Sequence, residues 1–150
     1  MENNFVKYQH TQIGYLVLVI LFILILYFAF ILTLTGNDPL IFAIIVLVLV
    51  ILSSFTSLKV TVDQEHLRIK FGYGIFIKKF ALNEIASVKA VRNHWYHGWG
   101  IRVWFWPKMW IFNVSGFDAI EIQMKDGKNF RIGTDEPAKL EQAIHEAIGQ

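Results

Sequence analysis

Four side chains in the second half of this sequence are of kinds that carry catalysis: His94, His97, Asn113 and Ser115. Histidine bases, a hydroxyl nucleophile and a polarising amide make a reactive set only if they converge on one pocket. Their spacing does not require that. Ser115 precedes a glycine but lacks the Gly-x-Ser-x-Gly elbow that thrusts a serine out of a strand-to-helix turn. His94 and His97 lie three apart, whereas a closed metal site wants four ligands, and the chain has no cysteine to supply a thiolate. No glycine-rich loop of the P-loop or dinucleotide-binding kind is present. The residues therefore point to no catalytic set, no metal and no cofactor. An enzyme or enzyme subunit acting on a lipid or membrane-associated substrate through these four residues is the alternative.

The chemistry that stands out is that of binding. All five tryptophans fall between His94 and Trp110, in the run HWYHGWGIRVWFWPKMW. The candidate interaction surface is Trp95, Trp99, Arg102, Trp104, Trp106, Lys108 and Trp110. If Ile101, Val103 and Phe105 face a core, strand alternation turns Arg102, Trp104 and Trp106 outward. Three accounts are open: contact with lipid, where tryptophan favours the headgroup region; a partner or self-association surface, where Trp and Arg are enriched; or packing of the rings on the domain itself. A second set, Lys59, Arg68 and Lys70, offers contacts to anionic headgroups, at about 1 kcal/mol per basic residue near the surface. From Lys59 onward thirteen Lys and Arg stand against ten Asp and Glu, an excess too small for nucleic-acid binding.

The elements that position these residues begin with two apolar runs. Residues 13–34 and 40–58 contain no charged side chain, and at 1.5 Å per residue they extend about 33 Å and about 29 Å, enough to cross a bilayer core. Neither carries a polar stripe, as a soluble core helix would, and the first is too long for a signal-peptide core. Thr35-Gly36-Asn37-Asp38-Pro39 is a tight turn, so both chain ends are expected on one side. The turn holds Asp38 and no cation, while Lys7, Lys59, Arg68 and Lys70 flank the other ends. The positive-inside rule then places both termini in the cytoplasm, with the chain in the inner or cell membrane. With no ionisable group inside either run, a passive anchor is expected rather than an ion path.

The expected organisation is a tail at 1–12, a two-helix transmembrane hairpin at 13–58, and a soluble domain at 59–150. Alternation predicts strands over 59–62, 66–71, 75–80, 101–106, 110–114, 119–125 and 128–132. Residues 82–91 read as a further strand after a helical turn. Asp126-Gly127 marks a hairpin. Leu140, Ala143, Ile144, Ala147 and Ile148 form one face of an amphipathic helix, opened by Thr134 or Asp135 with Pro137 in its first turn.

Gly98-Trp99-Gly100-Ile101-Arg102, then Asn113-Val114-Ser115-Gly116, then Arg131-Ile132-Gly133-Thr134-Asp135-Glu136-Pro137 resemble the signature of small bacterial pleckstrin-homology-like (PH-like) membrane proteins with two N-terminal transmembrane helices. The resemblance covers essentially the whole chain. It implies a membrane-anchored α+β protein: an antiparallel barrel or sandwich of about seven strands closed by a C-terminal helix. Lys59 with Arg68 and Lys70 resembles the basic pattern of the first hairpin in some lipid-binding PH domains. The family has no general activity, so the expectation is a non-enzymatic binding module at the cytoplasmic leaflet. Its expected partners are a membrane protein, a second copy of itself, or anionic lipid. Gly133 is expected to supply an unusual backbone angle.

Overall fold

The structure is a computed structural model that describes residues 6–149. Two helices, α1 (Tyr15–Leu34) and α2 (Pro39–Ser53), form the hairpin. Asp38 caps α2 by accepting from the Leu40 and Ile41 amides, and Pro39 fills the first helical position. A 3-10 turn (Ser54–Thr56) extends α2 into the domain. The two apolar segments, Tyr15–Leu34 and Pro39–Thr56, have mean hydropathies of 3.2 and 2.7. Each is long and apolar enough to cross a membrane. Their side chains are exposed or half-buried, with Ile45 the single buried residue of the two helices.

The domain contains nine strands among the described residues: β1 (Tyr8–Ile13), β2 (Ser57–Val62), β3 (His66–Phe71), β4 (Phe76–Ala81), β5 (Ile85–Arg92), β6 (Gly100–Phe105), β7 (Lys108–Asn113), β8 (Asp118–Met124) and β9 (Asn129–Gly133), followed by α3 (Pro137–Ile148). One sheet has the order β1-β2-β3-β4 and the other β5-β8-β9-β7-β6. Their inner faces share one core with α3. Val60, Ile69 and Phe71 come from the first sheet, Phe112, Ile120 and Ile132 from the second, and Leu140 and Ile144 from the helix.

Three expectations change. Of the barrel or sandwich expected, two packed sheets are found and no closed barrel; β1, β4, β5 and β6 are free edges among the described residues. The strands are not all antiparallel, because the β8–β9 hairpin inserts between β5 and β7 and sets β9 parallel to β7. Part of the expected tail at 1–12 is strand: β1 pairs with β2 along its length, from Tyr8 opposite Val62 to Ile13 opposite Ser57, while residues 1–5 lie outside the described residues. Its sequence, YQHTQI, lacks the apolar alternation that announces a strand. β1 is held by its ladder and by polar side chains: His10 Nε2 lies 2.6 Å from Asp135, and the Tyr8 hydroxyl donates to Glu136 at 3.3 Å. Burial first, then the Glu136 charge, pushes the Tyr8 phenol up to about 12.

The helical hairpin thus sits inside a β-hairpin, between two paired strands. Gly14 alone separates β1 from α1, and its amide donates to the Thr56 carbonyl at 2.7 Å. Gly72, at φ 48°, follows β3, and a Cβ there would lie 2.5 Å from the Ser54 carbonyl oxygen. The Tyr73 hydroxyl donates to the Val50 carbonyl on α2. Helices and sheet are joined without a flexible linker.

Candidate functional site

Cross-strand register builds the first candidate surface. Lys59 stands directly opposite Lys70, and Lys70 opposite Ile77; Thr61 stands opposite Arg68, and Arg68 opposite Lys79. All lie on the outer face of the four-stranded sheet, because Leu58, Val60, Leu67 and Ile69 take the inner positions. The structure therefore brings the sequence-predicted Lys59, Arg68 and Lys70 together and adds Lys79. Its partner across the ladder, not any spacing in the chain, places Lys79 there. Like charges directly opposite one another weaken a sheet. Among the described residues the side chains of Lys59, Lys70 and Lys79 make no hydrogen bond or ion pair. The Lys70 stem crosses Gly74, where an added Cβ would meet its Cε at 2.9 Å.

Arg68 is anchored instead. Its guanidinium pairs with Asp63, whose side chain is 2% exposed. Burial would raise the Asp63 carboxyl, but the Glu65 and His66 amides, at 2.9 Å and 2.7 Å, together with Arg68 hold it below the usual range.

The aromatic run does not form one surface. Trp104 packs on its own domain, 5.4 Å from Tyr96 and 5.1 Å from His97 between ring centres, and its Nε1 donates to the Trp106 carbonyl at 2.9 Å. Arg102 folds back, its Nε donating to the Trp99 carbonyl at 3.3 Å. Trp106, 90% exposed, and Trp95, 77% exposed, project into the surroundings. Phe105 does not face the core; it is the last residue of the edge strand β6 and is exposed. Lys108 is exposed in the register partner of Phe105. Trp110 points the other way and lies stacked on Phe112 at 6.4 Å.

Beneath Trp104, a short helical turn (Trp95–His97) covers the outer face of the five-stranded sheet. His97 is buried there, and burial first, then the Arg131 charge and His94, depresses its pKa. Arg131 bonds Glu121 at 2.8 Å and Asn93 at 3.3 Å. Burial would raise the Glu121 carboxyl, but Arg131 and Lys89 outweigh it and hold it low.

Two residues of the enzymatic alternative, His97 and Asn113, have side chains in local structural hydrogen bonds. His97 Nδ1 accepts from the His94 amide at 3.2 Å. The Asn113 side chain accepts from the Ser115 amide at 3.2 Å and donates to the Gly116 carbonyl at 3.1 Å, closing the turn after β7. Among the described residues no hydrogen bond links the histidines to Asn113 or Ser115, and no group of three or more His, Cys, Asp and Glu is placed to hold a metal ion. Gly133 lies beside Asn113, and a Cβ there would overlap the carboxamide. Its role is close approach, not the unusual backbone angle expected, since its φ is not in the positive range.

A groove of about 470 Å³ opens between β4 and the β7–β9 pair. It was not expected from the sequence, because its walls come from opposite sheets. Compared with known proteins, the chain matches no family model, no curated protein and no solved structure, so the function rests on the chemistry of these surfaces.

Proposed function

We propose that this protein is a non-enzymatic binding module of the PH-like type, anchored by its helical hairpin in the cell membrane with both termini in the cytoplasm, and that its basic sheet face contacts anionic headgroups of the same leaflet. The observation that carries the reading is the unpaired Lys59–Lys70 cross-strand pair on a sheet that continues directly from the hairpin. The two lysines stand two residues beyond Ser57. That is about 7 Å along the strands, within an interfacial layer of roughly 5–8 Å per leaflet. A repulsive pair at that height gains where phosphates lie between its members. Tyr73, Ile75 and Ile77, exposed beside it, supply an aromatic and aliphatic fringe suited to the same layer. The aromatic knuckle at Trp106 lies five ladder steps, about 17 Å, from the Asn113 end of β7, so it is left for a protein partner.

The chain lacks cysteine, which makes single spin labels straightforward. In bilayers containing phosphatidylglycerol, labels at Ile75→Cys, Lys79→Cys and Trp106→Cys are expected to rank in that order of depth. Protection at the second site should weaken at high salt. An Ile75→Cys label as open to aqueous relaxant as the Trp106→Cys label would overturn the reading.

A further inference from the structure

Lysine occupies a core position on β4. Phe76, Lys78 and Phe80 share the inner face of that strand, and the register partner of Lys78 is the fully buried Ile69. The charge escapes burial because the two sheets part along β4, leaving the groove. Lys78 Nζ hangs 6.0 Å from the Phe80 ring centre and makes no ion pair among the described residues. The rings around it are ordered. Trp110, Phe112 and Phe130 stack nearly parallel, at 12° and 13° between successive planes. Phe76 lies over Phe112 at 5.8 Å, and Phe80 meets Phe130 edge-on at 4.8 Å. Two other lysines line the groove: Lys128 is already paired with Asp126 at 2.7 Å, and Lys79 belongs to the outer face of β4; the exposed Glu84 lines it as well.

We infer that this groove binds a single-chain anionic amphiphile, its acyl chain along the ring stack and its carboxylate or phosphate on Lys78. The volume lies within the few hundred to a thousand cubic ångströms usual for ligand sites. An apolar trough with an unpaired cation on its inner face complements an apolar chain with one anion. The occupant's source rests on the membrane-anchored reading. The groove begins at Phe76, directly after the turn whose Tyr73 bonds to α2, and the exposed Ile75 and Ile77 line the way. A chain sliding out of the leaflet would reach the trough along apolar side chains. An extended peptide pairing with the free β4 edge is the competing occupant, and consecutive lysines on an edge strand oppose it.

The full chain would be placed in phosphatidylcholine nanodiscs with a trace of diazirine-tagged fatty acid, lysophosphatidylglycerol or monoacylglycerol, and crosslinked peptides mapped by mass spectrometry. Labelling of 76–81 and 109–130 by one or both anionic probes supports the inference, and which probe labels names the headgroup. Lys78→Gln should cut that labelling about tenfold, the loss of one charge-assisted contact. Lys89→Gln, on the outer face of the five-stranded sheet and away from the groove, should leave it unchanged. Equal labelling by the neutral monoacylglycerol, or indifference to Lys78→Gln, overturns the inference and leaves Lys78 as a guard against edge pairing. Labelling of α1 and α2 reports the membrane reading separately: helices labelled without the groove rejects the amphiphile site alone, and neither labelled rejects both.

Discussion

The two sheets reach one core by different routes. In the four-stranded sheet, order in space follows order in the chain, and each strand pairs with the next even where two helices intervene between β1 and β2. In the five-stranded sheet, β9 crosses into the middle and runs parallel to β7. The first sheet offers a regular outer face on which register alone clusters charge. The second has its outer face covered by a helical turn, with His97, Trp104 and the Arg131–Glu121 pair beneath or within the cover. A surface built by simple pairing stays open for a ligand. A surface built by crossover needs side chains to lock it and is spent on stability.

Breaking the crossover should therefore give the largest effect. Phe112 and Ile132 are register partners, so Asn113 and Gly133 follow them at the end of the parallel pair. Gly133→Ala forces a methyl into the Asn113 carboxamide, at a cost of about 3 kcal/mol. In thermal unfolding followed in detergent, the midpoint should fall by roughly 12 °C or more. An unchanged midpoint would mean that the contact does not lock the sheet.

An intermediate effect tests the covered face. Because the folded pKa of His97 lies below its ordinary 6.5, the unfolded chain takes up the proton first as the pH falls. Stability is whole above about 6.5 and is lost below it, by at most about 1.4 kcal/mol per pH unit for this one group. His97→Gln should flatten the decline in unfolding midpoint as the pH falls below about 6.5. The depressed Glu121 and Asp63 carboxyls keep their contribution until the pH falls through the carboxylate range.

The smallest effect sharpens the open face. Lys59→Gln removes a like-charge neighbour from Lys70 and should stabilise the fold by about 0.5 kcal/mol, while weakening attraction to anionic bilayers by about 1 kcal/mol. Thermal unfolding and salt-dependent depth measurements on the same variant would show both. A loss of stability would give Lys59 a structural role instead.

Much of the architecture was legible because its signals are local. Asp126-Gly127 set the β8–β9 turn, a helical turn before a strand was read within 82–91, and the stripe of Leu140, Ala143, Ile144, Ala147 and Ile148 named the buried face of α3, on which Ile148 alone is exposed. The candidate site was legible in part. Lys59, Arg68 and Lys70 could be chosen, but Lys79 and Lys78 look alike in the sequence, and only the register sends one to the basic face and the other into the groove. Trp104 and Trp106 share a parity in the sequence, yet one is packed and one exposed, because Trp104 lies within β6 against Tyr96 and His97 and Trp106 lies in the turn beyond the strand's end.

By itself the sequence determined two helices able to cross a membrane, since an uninterrupted apolar run satisfies its backbone internally whatever else the chain does. It also determined the helix that closes the core, through a periodicity that no neighbour can alter. Only the tertiary structure decided that β1 belongs to the domain, that β9 lies parallel to β7, and that the sheets part along β4. Each of these depends on pairing between distant segments, whose backbone groups are the same in every residue and so leave no mark on the local pattern.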